Sequence, residues 1–155
     1  MNGTEEKSKE QTIRNRMVDA VRILKKEQRS CVILSGDGVV RVSDAIGIKP
    51  LMVELRADQN AFQNAVIADK VVGKAAALLA VLGKADAVSG IVMSDGAVSV
   101  LEKHQVPFTF EERVPYIENR TKDGMCPMEQ TVQSVEDPEE AFAALEKTIA
   151  RLMKK

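Results

Sequence analysis

Four consecutive apolar residues, Ala65-Val66-Ile67-Ala68, precede Asp69 without polar alternation. An unbroken run of that kind is the pattern of a strand covered on both faces. The strand is expected to stop at Asp69 and turn straight into a helix that closes at Gly83. Asp69 stands at the N-cap position, where its carboxylate can accept a bond from an orphan backbone N–H. Ala87 to Met93 reads as a second buried strand. It ends at Ser94-Asp95-Gly96, where a helix opens and runs to about His104. Pro107 starts a last strand over Phe108 to Glu111, with Phe108 and Phe110 on one face. Crossovers between parallel strands are right-handed in nearly all cases, so both helices begin on the same sheet edge. Ligands in such sheets bind outside the carboxyl ends of the strands.

The flanking segments fit around this unit. Residues 1–10 are small and charged and are expected to be disordered. Ile13, Met17, Ala20, Val21 and Leu24 repeat at helical spacing, which predicts an amphipathic helix ending near Gln28. Cys31 to Leu34 and Val39 to Val42 flank the turn sequence Ser35-Gly36-Asp37-Gly38, an antiparallel hairpin. Pro50 suits the first turn of a short helix through about Arg56, and polar residues from Ala57 to Gln63 read as loop. Near the end, Pro127 can open another short helix from Cys126-Pro127-Met128-Glu129. Asp137-Pro138-Glu139-Glu140 is a cap, a proline and a first-turn acid, followed by an apolar stripe of Ala141, Phe142, Leu145, Ile149 and Leu152. No repeat or low-complexity linker divides residues 11–155, so a single domain is expected.

Composition narrows the function. Net charge is −1 and the pI is about 5.9, which argues against a broad nucleic-acid or anionic-membrane surface. Aromatic residues make up only 3% with no Trp, so a base-stacking platform is not expected either. The longest apolar run falls far short of the roughly 20 residues needed to span a bilayer, and the polar N-terminus lacks a signal-peptide core. The two cysteines, Cys31 and Cys126, read as free thiols of a cytoplasmic protein.

One place breaks local rules. Lys70 and Lys74 are four apart and would share a helix face in the first turn, where the positive dipole end disfavours cations. Gly73 between them costs about 1 kcal/mol relative to Ala. A helix chosen for stability alone would avoid these residues, so this strand end is the candidate site. Its candidate residues are Asp69, Lys70 and Cys126 for catalysis, with Gly73, Lys74, Ser94, Asp95 and Arg120 for ligand binding. Each also has a plainer reading. Asp69, Ser94 and Asp95 are good caps, the lysines and Arg120 can be solvated, Gly73 can let the helix approach the sheet, and Cys126 can be a buried apolar thiol. Cys31 reads as core, and His104 as a structural residue in a last helical turn.

Asp69-Lys70-Val71-Val72-Gly73-Lys74-Ala75, Val114-Pro115-Tyr116-Ile117, Asn119-Arg120 and Gly124-Met125-Cys126-Pro127-Met128-Glu129 together carry a resemblance. They resemble a small prokaryotic family of domains of unknown function whose fold is similar to that of the cytidine deaminases. The resemblance covers roughly Cys31 to Glu129. It implies a three-layer α/β/α sandwich with a mixed sheet of about five strands, the hairpin plus βαβαβ, and an extra C-terminal helix. It implies no activity. Zinc deaminases need a His (or Cys)-x-Glu at the first helix start and a Pro-Cys-x-x-Cys at the second. The corresponding starts here, Asp69-Lys70 and Ser94-Asp95-Gly96-Ala97, contain neither His nor Cys.

Two classes of function fit. One is a small-molecule protein binding an anionic, nucleotide-like ligand between the helix starts, and acting as a non-zinc enzyme if Cys126 or Lys70 serves as nucleophile. The other is a regulatory or interaction module that keeps the fold without chemistry. No cofactor motif is present, since Gly36-x-Gly38 is a hairpin turn. The hairpin leaves a sheet edge open to a second copy of the chain. The ligand set leads to one prediction. Protein purified without chelator or a His tag carries no stoichiometric zinc by elemental analysis, and about one zinc per chain held through Cys126 would contradict it.

Overall fold

A computed structural model of the chain describes residues 3–45 and 47–154. Among them are six helices and five strands in one mixed sheet of order β2-β1-β3-β4-β5. The elements are α1 (Gly3–Lys26), β1 (Cys31–Ser35), β2 (Val40–Ser43), α2 (Lys49–Ala57), β3 (Ala65–Val72), α3 (Lys74–Leu82), β4 (Ala87–Ser94), α4 (Asp95–Lys103), β5 (Phe108–Val114), α5 (Pro127–Val132) and α6 (Pro138–Met153). β1 pairs antiparallel with β2 and with β3, while β3–β4 and β4–β5 are parallel. The expected hairpin and the expected adjacent, parallel pairing of the strand that holds Asp69 with the strand that ends at Ser94 are therefore present.

Alternation along the central strands divides the core. Ile33, Ile67 and Val88 face α2, α3 and α4. Val32, Leu34, Val66 and Ala68 face Met17, Ala20 and Leu24 of α1. The strands β3, β4 and β5 follow one another across the sheet, so right-handed crossovers put α3 and α4 on the same face. α1 covers the opposite face, completing an α/β/α sandwich. α3 is apolar nearly all round because α6 packs on its outer side through Ala141 and Leu145.

Away from the site, two boundaries differ from the sequence expectation. α1 starts at Gly3, so the leader expected to be disordered is drawn into the helix from that residue on; Met1 and Asn2 lie outside the described residues. β5 runs on to Val114, three residues past Glu111, because its ladder with β4 continues to the Ser94–Val114 pair.

Candidate functional site

The first difference at the site concerns Asp69. β3 passes through it and ends at Val72, and α3 begins at Lys74. The sheet explains the extension. β4 offers a pairing edge as far as Val72–Met93, and the Lys70 N–H donates to the Ser30 carbonyl at 3.1 Å. The β-branched pair Val71-Val72 suits that extended backbone. Asp69 is thus a strand residue rather than an N-cap. Lys70 belongs to the strand and Lys74 to the helix, so the two do not share a helix face.

The cap of α3 comes from far along the chain. Gly73 occupies the N-cap position with extended backbone and supplies no side chain. In its place the Glu129 carboxylate accepts from the Lys74 N–H at 2.7 Å and from the Ala75 N–H at 2.9 Å. Pro127 opens α5 as expected, and the Cys126 N–H donates to the Ile117 carbonyl at 2.9 Å, which aims Glu129 at the α3 start. A Cβ at Gly73 would collide with that carboxylate, so the glycine is where Glu129 enters. Burial pushes the Glu129 carboxyl up from its ordinary range, against the pull of its two backbone donors and of Lys74.

Glu129 also divides the site. On one side lies a cavity of about 290 Å³ bordered by Asp69, Lys70, Gly73, Cys126 and Glu129, with apolar walls from Ile48, Ala76 and Met128. On the other lies a cleft of similar volume bordered by Lys74, Ser94, Gly96, Ser99 and Tyr116. The expected single cleft is therefore two. Cys126 does lie on the Lys70 side. Lys74 faces the second cleft, where its ammonium binds the Glu136 carboxylate at 2.6 Å and the Gln133 carbonyl at 3.1 Å. Ser94 caps α4 by accepting from the Ala97 N–H at 3.1 Å. Asp95 accepts from Arg113 at 2.6 Å, and exposed Arg120 borders neither cavity.

Asp69 is the most unusual group at the site. It is 7% exposed yet borders the first cavity. Burial pushes its carboxyl up to about 7, against the pull of the Val71 N–H, which donates to it at 3.3 Å, and of the neighbouring Cys31 thiol and Lys70 N–H. Such a carboxyl exchanges its proton near neutral pH, as acid–base groups must. Among the described residues, no three His, Cys, Asp or Glu side chains gather as metal ligands.

Two contributors were not singled out from the sequence. Glu129 sits in a motif with an obvious local role at the start of α5, and nothing local reports its reach to α3. Cys31 lies opposite Asp69 in the β1–β3 register, a pairing visible only once the strand order is known.

Both buried carboxyls generate predictions. Glu129→Ala leaves two N–H donors at the α3 start unpaired and is expected to cost about 2–4 kcal/mol in urea unfolding; Glu129→Gln keeps an acceptor oxygen and is expected to cost less. Gly73→Ala is expected to destabilise as well, by displacing the same carboxylate. An acid whose folded-state pKa lies above its unfolded value binds its proton more tightly when folded. The contribution of Asp69 to stability is therefore fullest below about pH 4 and is lost as pH rises through about 7. Glu129 has the same sign. Unfolding midpoints from pH 4 to 8 should fall more steeply in wild type than in Asp69→Asn.

Comparison with known proteins places the chain. No curated protein matches it. The solved structure of a DUF1893 family protein (TM1506) from Thermotoga maritima is similar, with a TM-score of 0.77 and 29% identity, over 86% of this chain and 89% of that one. The family model for the TM1506 domain of unknown function (DUF1893) matches residues 19–149. That span takes in the sheet, both cavities and Glu129, and the chain belongs to the DUF1893 family.

Proposed function

We propose that this protein binds a small nucleoside-like molecule bearing an anionic group in the cavity between Asp69 and Cys126. The observation that carries the reading is a nearly buried carboxyl, poised near neutral pH, opening on a mostly apolar pocket at the carboxyl end of a parallel strand. Ile48, Val71, Ala76, Ile117 and Met128 would bracket a flat ring. Asp69 would take its polar edge, and the resemblance to cytidine deaminases supports a nucleoside at such strand ends by analogy of fold. The anionic group falls to Lys70. Glu129 already fills the α3 N-terminus, and Lys74 is tied to Glu136, so neither is open to a ligand as the chain stands.

Within this reading Cys126 is the nucleophile and Asp69 the acid–base group of any turnover. Free thiols at Cys31 and Cys126 fit a reducing compartment such as the cytoplasm.

Thermal shift followed by titration calorimetry with nucleobases, nucleosides, nucleoside monophosphates, phosphosugars and carboxylates tests the proposal. A ligand at a hundredfold excess over its Kd adds about 2.7 kcal/mol, a shift of several degrees. Asp69→Asn is expected to weaken every nucleoside-like ligand about tenfold or more. Lys70→Ala is expected to weaken only the phosphorylated or carboxylated ones. The proposal fails if no compound raises the melting temperature, or if the rise is the same in Asp69→Asn.

A further inference from the structure

The cleft on the far side of Glu129 from Asp69 has a volume of about 290 Å³ and is bordered by Lys74, Ser94, Ser99, Tyr116 and Glu136. Its ion pair is lopsided. The Lys74 side chain is only 14% exposed, whereas that of Glu136, which meets its ammonium at 2.6 Å, is 59% exposed. A Cβ at Gly96 would stand 3.3 Å from the Lys74 Cβ, so the glycine gives the lysine stem room beside the start of α4. Glu136 comes from the short link between α5 and α6. The ammonium is thus held by the fold, and the carboxylate reaches it from the solvent side.

Ser94 adds a second demand at the same cleft. Its hydroxyl is buried, at 1% exposure, and accepts from the Ala97 N–H at 3.1 Å. A hydroxyl also carries a proton to donate. Among the described residues nothing accepts that proton, and a buried donor without an acceptor is destabilising.

We propose that this cleft is a second ligand site, separate from the Asp69 cavity, for a small hydroxy acid: the acid's carboxylate takes the place of Glu136 on the Lys74 ammonium, and an oxygen of the ligand accepts the Ser94 proton. Displacing Glu136 costs little, because one carboxylate replaces another and an exposed ion pair contributes little. Glu136 keeps a cation nearby after release, since the Lys103 ammonium lies 3.9 Å from it. The lining of one ammonium and three hydroxyls matches a single negative charge flanked by hydroxyl groups. Among the described residues no arginine borders the cleft, and the Glu129 carboxyl forms its wall. Both features favour a carboxylate over a doubly charged phosphate.

Amide NMR titration of the full chain with glycerate, acetate and inorganic phosphate tests the proposal. Glycerate is expected to shift the amides around Lys74 and Ser94, and acetate, which lacks hydroxyls, to bind more weakly. Glu136→Ala removes the internal competitor and is expected to tighten glycerate about threefold. Lys74→Met is expected to weaken it about tenfold or more, and Asp69→Asn to leave it unchanged. The proposal is overturned if glycerate moves no amide at the cleft in wild type or Glu136→Ala, or if phosphate binds more tightly than glycerate. An affinity that does not rise in Glu136→Ala overturns it too, which keeps the test decisive should Lys74→Met fail to fold. Binding that weakens in Asp69→Asn assigns glycerate to the other cavity and likewise overturns a separate site here.

Discussion

The bond between Glu129 and the start of α3 is the constraint on which the site depends. A helix N-terminus held against a sheet leaves backbone donors that need partners. Here no residue of the preceding strand supplies one, and the chain answers from more than fifty residues downstream. The consequences spread outward from that carboxylate. It requires glycine at position 73, it anchors α5, and through α5 it fixes where Cys126 stands. It also divides the strand-end region into two clefts of different chemistry, one built on a buried acid and a thiol, the other on an ion pair and hydroxyls.

Much of the fold was legible from the apolar pattern. Ala87 to Met93, the hairpin turn at Ser35–Gly38, Pro127 and the Asp137 cap all act locally, and local rules located them. The end of β3 was not legible. Asp69-Lys70 looks like a cap followed by a helix when read alone, but the neighbouring strand β4 offers ladder partners up to Met93, and pairing outweighs the cap. The site suffered in the same way. Asp69, Lys70 and Cys126 were found together, since a parallel strand delivers them to one end of the sheet. Lys74 and Ser94 were assigned to the same cleft because nothing in their spacing reveals that Glu129 stands between.

The two buried acids show how one physical term produces different roles. Both are pushed towards their neutral forms by loss of water. Glu129 spends its oxygens on two backbone donors and is committed to structure. Asp69 has weaker partners and opens on a cavity, so its charge remains adjustable. A group of that kind destabilises the fold at neutral pH, and such a cost tends to persist where a site uses it.

The nearly all-apolar helix α3 has a further consequence for the birth of the chain. It is translated well before α5 and α6, the elements that shield its outer side and its first turn. Until those segments leave the ribosome, a nascent chain carries a sheet with a greasy, uncapped helix against it. Domains assemble from the N-terminal side as they are made, and exposed apolar surface at that stage invites association with other chains. The interval between α3 and α6 is thus when that apolar side lacks its cover, and the speed of translation across it becomes part of how reliably the chain folds.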